Sequence, residues 1–212
     1  MASEQPGAPF LERTWFERPV LEVARDLVGC ELHWRGASGM IVETEAYCAV
    51  GDEASHIFSR PSTRAFLKTV PAGTAYVYFN YGIHWMLNVV VLPNREELHS
   101  PENGMVLFRA LEPRRGVATM RERRRLEKLE ALCSGPAKLT QALGIVGEDH
   151  GLDLCRADGR TGSRVGISRL SRSPCESAPI IATGSRIGIS RSADLPWRFV
   201  VQGSRFLSKP LP

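Results

Sequence analysis

All four tyrosines of the chain lie within 35 residues, from Tyr47 to Tyr81. Glu43 and Glu45 shortly precede this stretch, and His56 lies inside it. Electron-rich aromatic faces attract electron-poor rings, and a carboxylate can orient water or stabilise a developing positive charge. These residue types at this spacing predict a pocket for a flat, electron-poor ligand.

Gly36–Gly39 separates two stretches in which polar and apolar residues alternate. The pattern is typical of a hairpin whose first strand begins at Cys30 and whose second strand spans Met40–Tyr47. Alternation along the second strand would place four side chains on one face: Ile41, Glu43, Glu45 and Tyr47. Residues two apart in a strand have alpha carbons roughly 7 Å apart, so both carboxylates could serve one site. The alternative is a solvated face whose acids have no specific role.

The next aromatic segment predicts a second hairpin, with strands at Thr74–Phe79 and His84–Leu92 and a turn at Asn80–Ile83. Tyr81 would lie at its tip. An exposed ring there needs an apolar partner, and a base step of a duplex pried apart by the ring is one such partner. Cross-strand packing is the alternative, which suits Tyr76 better than Tyr81.

Arg109 interrupts the short apolar run Met105–Leu111. A charge in the middle of a buried strand requires a partner, and Glu45 or a phosphate could supply one. Residues 114–131 then hold many arginines mixed with glutamates, a pattern more often found on a solvated helix face than on a binding surface.

A helix start is indicated by Ser134 as a possible cap, Pro136 in the first turn and Lys138 directly after it. Helix starts of this kind expose backbone N–H groups that bind phosphate. A capped helix without a ligand is the alternative. An amphipathic helix of structural role is also predicted between Pro19 and Gly29.

The composition, with 43% hydrophobic and 24% charged residues in 212, is that of an ordinary globular chain. This length can bury one full core, so we expect a flexible tail over residues 1–14 and a single domain over residues 15–212. Neither a secretion signal nor a stretch apolar enough to cross a bilayer is evident, so a cytoplasmic location without membrane contact is expected.

Arginine accounts for 23 of the 27 basic residues. Its planar fork suits phosphate and hints at nucleic acid, whereas a codon preference for arginine is the alternative, and a net charge of +4 does not decide between them. The five cysteines include no Cys-x-x-Cys pair typical of a zinc or iron–sulfur site, so reduced, packing thiols are expected.

The segment Ser163–Arg169 recurs almost unchanged as Ser185–Arg191. Two copies do not make a solenoid. They could form two arginine-flanked strands of one sheet, or the similarity could be chance in a segment rich in serine and arginine.

Five strings, in order and in spacing, resemble the alkyladenine (3-methyladenine) DNA glycosylase family. They are Ile41–Tyr47, Asp52–His56, Tyr76–Gly82 with Asn88, Arg109–Pro113 and Leu132–Leu143. Each string alone is a weak signal, but five in order over about residues 15 to 208 are specific. The resemblance implies a single compact domain of mixed α/β (α+β) type around a curved antiparallel sheet with flanking helices.

The resemblance also implies that a damaged purine is flipped out of double-stranded DNA and that its N-glycosidic bond is hydrolysed. Glu45 would activate water, and Arg109 would hold that water or the adjacent phosphate. The base pocket would be formed by Tyr47, His56, Tyr78 and Asn88, of which Asn88 would clash with the exocyclic amino group of guanine. Tyr81 would fill the vacated stack. Further DNA contacts would come from Arg64, Ser134, Gly135 and Lys138.

The chemistry of bond cleavage agrees with these roles. The reaction passes through an oxocarbenium-like state that a carboxylate stabilises. A purine methylated at N3 or N7 carries positive charge and leaves readily, whereas neutral lesions require protonation by a group that the sequence does not identify. Since the recognised strings contain no lysine with a catalytic appearance, hydrolysis to an abasic site without strand cleavage by a Schiff base is expected. The resemblance implies that the reaction needs neither cofactor nor metal.

One loop departs from the family pattern. After His56 the family usually shows Thr-Pro-Arg-Asn, whereas this chain has Ser62-Thr-Arg-Ala65, which keeps Arg64 but lacks the asparagine. The choice among methylated purines, hypoxanthine and ethenoadenine is therefore left open. Repair of one lesion needs one copy, so a monomer is expected, associated with the nucleoid if the source is bacterial.

Two hypotheses from other functional classes compete. A metal-dependent phosphodiesterase would use as ligands Glu43, Glu45, Asp52, Glu53 and His56. A non-catalytic module would bind DNA or RNA through stacking of its tyrosines alone. Whichever holds, we expect Glu43 to be structural or to pair with an arginine.

Overall fold

The computed structural model describes residues 9–155, 165–169 and 177–211. Most of the predicted tail and the first two residues of the earlier repeat copy, 163–164, lie outside these ranges. The described end of the tail is ordered, because the N–H of Leu11 donates to the carbonyl of Ile167 at 2.7 Å and Leu11 is buried. The folded region therefore includes residues that the sequence assigned to the tail.

An antiparallel sheet forms the centre of the described structure. Its strands are β1 (Cys30–Trp34), β2 (Ala37–Cys48), β3 (Ala75–Asn80), β4 (His84–Val91), β5 (Gly104–Arg115), β6 (Val165–Arg169), β7 (Ile181–Gly184) and β8 (Arg198–Val201). They pair in the order β3-β4-β5-β2-β1-β6, while β8 pairs with β2 and β7. The predicted mixed α/β fold around an antiparallel sheet is confirmed.

The middle of β2 is enclosed by strands on both edges. Along one edge, β1 pairs with the start of β2 and β8 takes over at Glu43–Glu45, whereas β5 follows the other edge. Both glutamates are 0% exposed as a result. The sheet therefore places two carboxylates where only buried partners can neutralise them.

Short helices pack around this sheet. They are α1 (Val20–Leu27), α2 (His56–Ser59), α3 (Pro61–Thr69), α4 (Val117–Arg124), α5 (Leu129–Leu132) and α6 (Pro136–Leu143), with 3-10 turns at Arg13–Phe16 and Gly147–Asp149. The predicted amphipathic helix is α1, whose apolar stripe is buried in the main core. Every helix in the described ranges is too short or too polar to span a bilayer.

The first hairpin turns earlier than the sequence predicted. Arg35 and Gly36 adopt positive φ values of 48° and 84°, which makes a two-residue turn, and β2 begins at Ala37. Gly39 belongs to the strand, where a Cβ atom would lie 2.8 Å from the carbonyl oxygen of Glu112 on β5. This glycine permits close strand packing, and the prediction that it belonged to the turn is wrong.

Strict alternation along β2 is broken by irregular pairing with β5. The register shifts on both sides of Glu43. Ile41 therefore packs in the main core, whereas Val42 packs with Ala110 in a second cluster. The prediction that Ile41 shares a face with the acids is wrong, because an extra residue in one strand reverses the order of inward and outward side chains.

Candidate active site

A cavity of about 460 Å³ opens between the two hairpins, the segment around α2 and the loop 187–189. Its wall includes Tyr47, His56, Arg60, Tyr78, Tyr81, Met86, Asn88, Leu107, Arg109, Pro136, Ile187 and Ile189. Six side chains that the sequence proposed for catalysis, base contact or wedging thus meet at one pocket.

Glu45 lies behind the pocket wall and is held by three donors. Its Oε2 atom accepts hydrogen bonds from the Tyr47 hydroxyl at 2.8 Å and from Nη1 of Arg109 at 3.1 Å. Its Oε1 atom accepts one from the backbone N–H of Ile187 at 2.7 Å. These donors fix both carboxylate oxygens against residues that line the pocket.

Glu43 lies farther from the pocket, in a compact charge cluster. Its Oε1 atom accepts from Nε of Arg109 at 3.0 Å and from Nε of Arg198 at 2.8 Å, while Oε2 accepts from the Ser208 N–H at 2.6 Å. Two buried carboxylates are thus matched by two buried guanidinium groups. Glu43 pairs with arginine, as expected.

Arg109 joins the two carboxylates. Burial by itself lowers the pKa of its guanidinium, but the charges of Glu45 and Glu43 outweigh this and raise it above the ordinary value. The partner that the sequence required is therefore a carboxylate pair. Contact with water or phosphate, the role suggested by the family, stays a prediction.

Tyr47 donates to Glu45 while its ring covers a cation. The guanidinium carbon of Arg186 lies 4.6 Å from the centre of the ring. Burial, followed by the charge of Glu45, raises the pKa of the Tyr47 hydroxyl above its ordinary value. The hydroxyl therefore remains a proton donor to the carboxylate.

His56 and Tyr78 form a second aromatic part of the pocket wall. Ser55 caps α2 and thereby places His56, whose Nδ1 atom lies 3.2 Å from the Tyr76 hydroxyl oxygen. The rings of His56 and Tyr78 meet edge to face at 4.4 Å. Burial and then the charge of Arg60 lower the pKa of His56 to about 4, and burial raises the pKa of Tyr78 to about 12. Both rings are neutral at physiological pH.

Asn88 on β4 lines the same pocket from the second hairpin. It pairs with Tyr76 across the strands, and its Nδ2 atom donates to the Tyr76 carbonyl at 3.3 Å. The side chain is buried, so the amide is held in one orientation. An amide in a fixed orientation can accept or reject a ligand ring according to the groups on the edge of that ring.

The tip of the second hairpin is apolar and exposed. Tyr81 is 86% exposed and has a φ of 50°, and Ile83 is 66% exposed. Phe79 packs on Trp85 at 4.6 Å between ring centres, which supports the base of the tip. The predicted strand–turn–strand arrangement is present, with Tyr81 projecting at the mouth of the pocket.

The residues predicted to contact the DNA backbone lie outside the pocket wall. Nη1 of Arg64 donates to the carbonyls of Ile57 and Phe58 at 2.8 and 2.9 Å, so this guanidinium closes the end of α2. Arg60 is the arginine of this segment that lines the pocket, and its guanidinium carbon lies 5.9 Å from the centre of the Tyr78 ring. Arg60 was missed because the resemblance to the family pointed to Arg64. Contact of Arg64 with DNA stays a prediction.

The start of α6 also differs in detail. Gly135 occupies the capping position without a side-chain cap, so the prediction that Ser134 caps this helix is wrong. The Ser134 hydroxyl instead accepts from Nζ of Lys138 at 3.5 Å, and Pro136 reaches the pocket. Phosphate contact by Ser134, Gly135 and Lys138 stays a prediction.

The repeated segment has two different conformations. The described part of the first copy is strand β6, at the outer edge of the sheet. The second copy forms a loop that contributes Ile187, Gly188 and Ile189 to the pocket. The hypothesis of two strands in one sheet is wrong. No local pattern marked the second copy as part of the site, since its partners are more than 130 residues away in the chain.

The acidic residues proposed as metal ligands are engaged with cations. Glu43 and Glu45 bind Arg109, and Asp52 binds Arg186 at 2.6 Å. Over the described ranges, no group of three or more His, Cys, Asp or Glu side chains is arranged to hold a metal ion. Buried aromatic walls beside a fixed carboxylate suit a planar organic ligand instead.

Comparison with known proteins identifies the family. The profile of the methylpurine-DNA glycosylase family matches residues 14–205. A protein of Rhodopseudomonas palustris, named as a candidate 3-methyladenine DNA glycosylase, is 46% identical over 96% of this chain and 90% of its own length. A protein of Rhizobium etli with the same name is 47% identical over 93% of this chain and 88% of its own length. This chain therefore belongs to the methylpurine-DNA glycosylase family.

Proposed function

We propose that this DNA glycosylase binds an alkylated purine that has rotated out of duplex DNA and hydrolyses its N-glycosidic bond. The observation that carries the proposal is Glu45, a buried carboxylate fixed by three donors directly behind an aromatic pocket. The family match and the relatives' names support the same conclusion. The activity would belong to residues 15–212 acting as a monomer.

The aromatic pocket suits a methylated purine. Such a ring is flat and positively charged, and it would lie between Tyr47 on one side and the His56 and Tyr78 rings on the other. Because His56 is neutral, no positive charge on the imidazole would repel the ring. Asn88 would reject the exocyclic amino group of guanine through its fixed amide.

The proposed reaction breaks the bond between the sugar and the purine nitrogen, whose electron pair leaves with the base. The negative charge of Glu45 stabilises the oxocarbenium-like sugar that develops. A water molecule then adds its oxygen to the sugar carbon and gives a proton to Glu45, which leaves an abasic site. Arg109 keeps the carboxylate in place during this proton transfer.

Tyr81 would enter the base stack that the flipped nucleotide leaves. Its ring is exposed at the tip of a paired hairpin, so insertion needs no unfolding of the hairpin. Arg60 at the pocket mouth, with Lys138 and the start of α6, would contact the flanking phosphates. The described pocket wall includes no lysine, which supports simple hydrolysis without a Schiff base.

The proposal is tested with duplexes that carry one methylated purine or one hypoxanthine, incubated in EDTA with wild type or Glu45→Gln. Hot alkali then cleaves the strand at abasic sites. We expect cleavage at the lesion by the wild type alone, and no enzyme–DNA adduct after borohydride treatment. Tight binding without base release would favour a damage-binding module, and loss of wild-type activity in EDTA would favour a metal-dependent enzyme.

A further inference from the structure

Arg186 precedes the pocket loop and is buried without being part of the pocket wall. Its side chain is 0% exposed. Nη1 and Nη2 donate to the two carboxylate oxygens of Asp52 at 2.6 and 2.8 Å. The same nitrogens also donate to the carbonyls of Ala46 at 2.9 Å and Ser192 at 3.1 Å. One guanidinium thus ties the loop to β2 and to the segment before α2.

Asp52 is itself a junction between elements. Its carboxylate accepts hydrogen bonds from the backbone N–H groups of Cys48 and Ala54, both at 3.1 Å. Cys48 ends β2, and Ala54 lies two residues before His56. The Asp52–Arg186 pair therefore lies where three walls of the pocket meet: the end of β2, the segment that carries His56, and the loop 187–189.

Two contacts connect this pair with the carboxylate at the centre of the site. The guanidinium of Arg186 stacks on the Tyr47 ring at 4.6 Å and on the Trp197 ring at 5.2 Å, and Tyr47 donates to Glu45. The N–H of Ile187, joined to Arg186 by a peptide bond, donates to the other oxygen of Glu45. Two of the three donors to Glu45 are therefore held in place by Arg186.

We propose that Arg186, fixed by Asp52, is a positioning residue that aligns the Tyr47 hydroxyl and the Ile187 N–H on Glu45. This inference rests on the proposed function, in which Glu45 activates water. A buried ion pair is costly to desolvate, and stability alone is a weak reason to keep it. A planar fork that binds one carboxylate and two carbonyls while stacking on two rings is a task for arginine and not for lysine.

The chain offers a matched control in Arg35. This arginine also pairs with a fully buried aspartate, Asp149, and its guanidinium lies over the Trp34 ring at 5.9 Å. Neither Arg35 nor Asp149 lines the pocket. The Arg35 side chain is 43% exposed, so Arg35→Lys controls for the exchange of arginine by lysine against a buried aspartate without touching Glu45 or its donors.

The test compares wild type, Arg186→Lys, Asp52→Asn, the double variant and Arg35→Lys. Release of methylated purine from duplex DNA is measured under single-turnover conditions, with binding of the same duplex and the thermal midpoint measured in parallel. We expect Arg186→Lys and Asp52→Asn each to slow base release by about tenfold or more, with affinity changed by less than about twofold, because misplaced groups affect the chemical step. The double variant would be no slower than the slower single variant.

Arg35→Lys is expected to release base at the wild-type rate, whether or not its thermal midpoint is lowered. The positioning role is overturned if Arg186→Lys and Asp52→Asn release base at the wild-type rate, or if the rates of all variants simply follow their thermal midpoints. Asp52→Asn keeps the proposal testable if Arg186→Lys does not fold.

Hydrogen exchange separates failure of this inference from failure of the proposed function. The amide of Ile187 is expected to exchange faster in Arg186→Lys than in wild type, whatever the protein catalyses. If wild type releases no base, the proposed function fails, and an unchanged exchange rate at Ile187 would overturn the positioning role independently.

Discussion

The two glutamates of β2 differ in their partners more than in their positions. Glu43 is bound by Arg109, Arg198 and Ser208, so its negative charge is fully used inside the protein. Among the described residues, Glu45 shares Arg109 with Glu43 and otherwise accepts neutral donors beside the pocket. In the proposed function Glu45 provides charge for an incoming cation, whereas Glu43 holds the charge cluster together.

Replacing each glutamate by glutamine is expected to separate these roles. Glu45→Gln removes the base and the negative charge at the sugar, so single-turnover base release should fall by about a hundredfold or more. Glu43→Gln leaves buried cations uncompensated and should lower the free energy of unfolding by about 3 kcal/mol while retaining much more activity. Base-release kinetics and urea unfolding measure the two effects. The opposite ranking of activities would show that Glu43 is the base.

His56 gives a prediction about pH. Burial and Arg60 lower its pKa to about 4, below the ordinary value of 6.5. A lowered histidine pKa means that the neutral ring stabilises the fold, fully above about pH 6.5 and progressively less as pH falls towards 4. We therefore expect the ring resonances of His56, assigned with His56→Gln, to titrate near pH 4. A midpoint near 6.5 would contradict the buried, neutral histidine.

At the scale of elements, the second hairpin carries Tyr81, the proposed wedge, in an unfavourable backbone conformation. Tyr81 has a φ of 50° and makes little contact with the protein. Left-handed conformations are costly for residues with a Cβ atom. A glycine would suit the turn better, and the proposed insertion into the base stack would explain the tyrosine.

Tyr81→Gly should therefore change stability and activity in opposite directions. Removal of left-handed strain is expected to leave the free energy of unfolding unchanged or raise it by up to about 1 kcal/mol, while base release from duplex DNA falls. Arg125→Gly is the matched control, since Arg125 also has a φ of 50° and ends α4. It should be equally stable but fully active. Thermal unfolding and single-turnover base release are measured for both variants. Full activity of Tyr81→Gly would show that Tyr81 is not the wedge.

The elements that the sequence predicted best are those specified locally. The Asn80–Ile83 turn and the stripe of α1 depend on neighbouring residues, and both appear as expected. The bulge around Glu43 and the pocket loop depend on partners in distant strands, so no periodicity could indicate them. The five recognised strings located the pocket, but they gave no signal for Arg60, which the fold places in the pocket wall.

At the scale of the whole molecule, the end of the described chain completes the buried charge cluster. Ser208 donates to Glu43 through both its N–H and its hydroxyl, each at 2.6 Å, and the carbonyl of Lys209 accepts from Arg198. These contacts span up to 165 residues of sequence. The site is therefore complete only when the last described segment has packed on the sheet.

Ser208→Ala tests how much the packing of this last segment stabilises the charge cluster. It removes one donor to Glu43 and one acceptor for Arg109, so the free energy of unfolding should fall by about 1 to 2 kcal/mol. Ser204→Ala is the control in the same segment, because its hydroxyl accepts only a local hydrogen bond from the Phe206 N–H. Urea unfolding compares the two. Equal losses of unfolding free energy in the two variants would show that the contact of Ser208 with Glu43 adds no more stability than a local hydrogen bond.

The groups around Glu45 share one property, which is that they keep their protons well above neutral pH. Burial raises the pKa of Tyr78 to about 12, and the pKa values of Tyr47, Arg109 and Arg186 are also raised above their ordinary values. With a neutral lesion, which must be protonated to leave, a decline of the rate on the alkaline side would consequently report the protonation of the departing base and not that of these residues. Rates at alkaline pH, plotted against leaving-group basicity over a series of lesions, would then form a linear free-energy relationship for bond breaking alone.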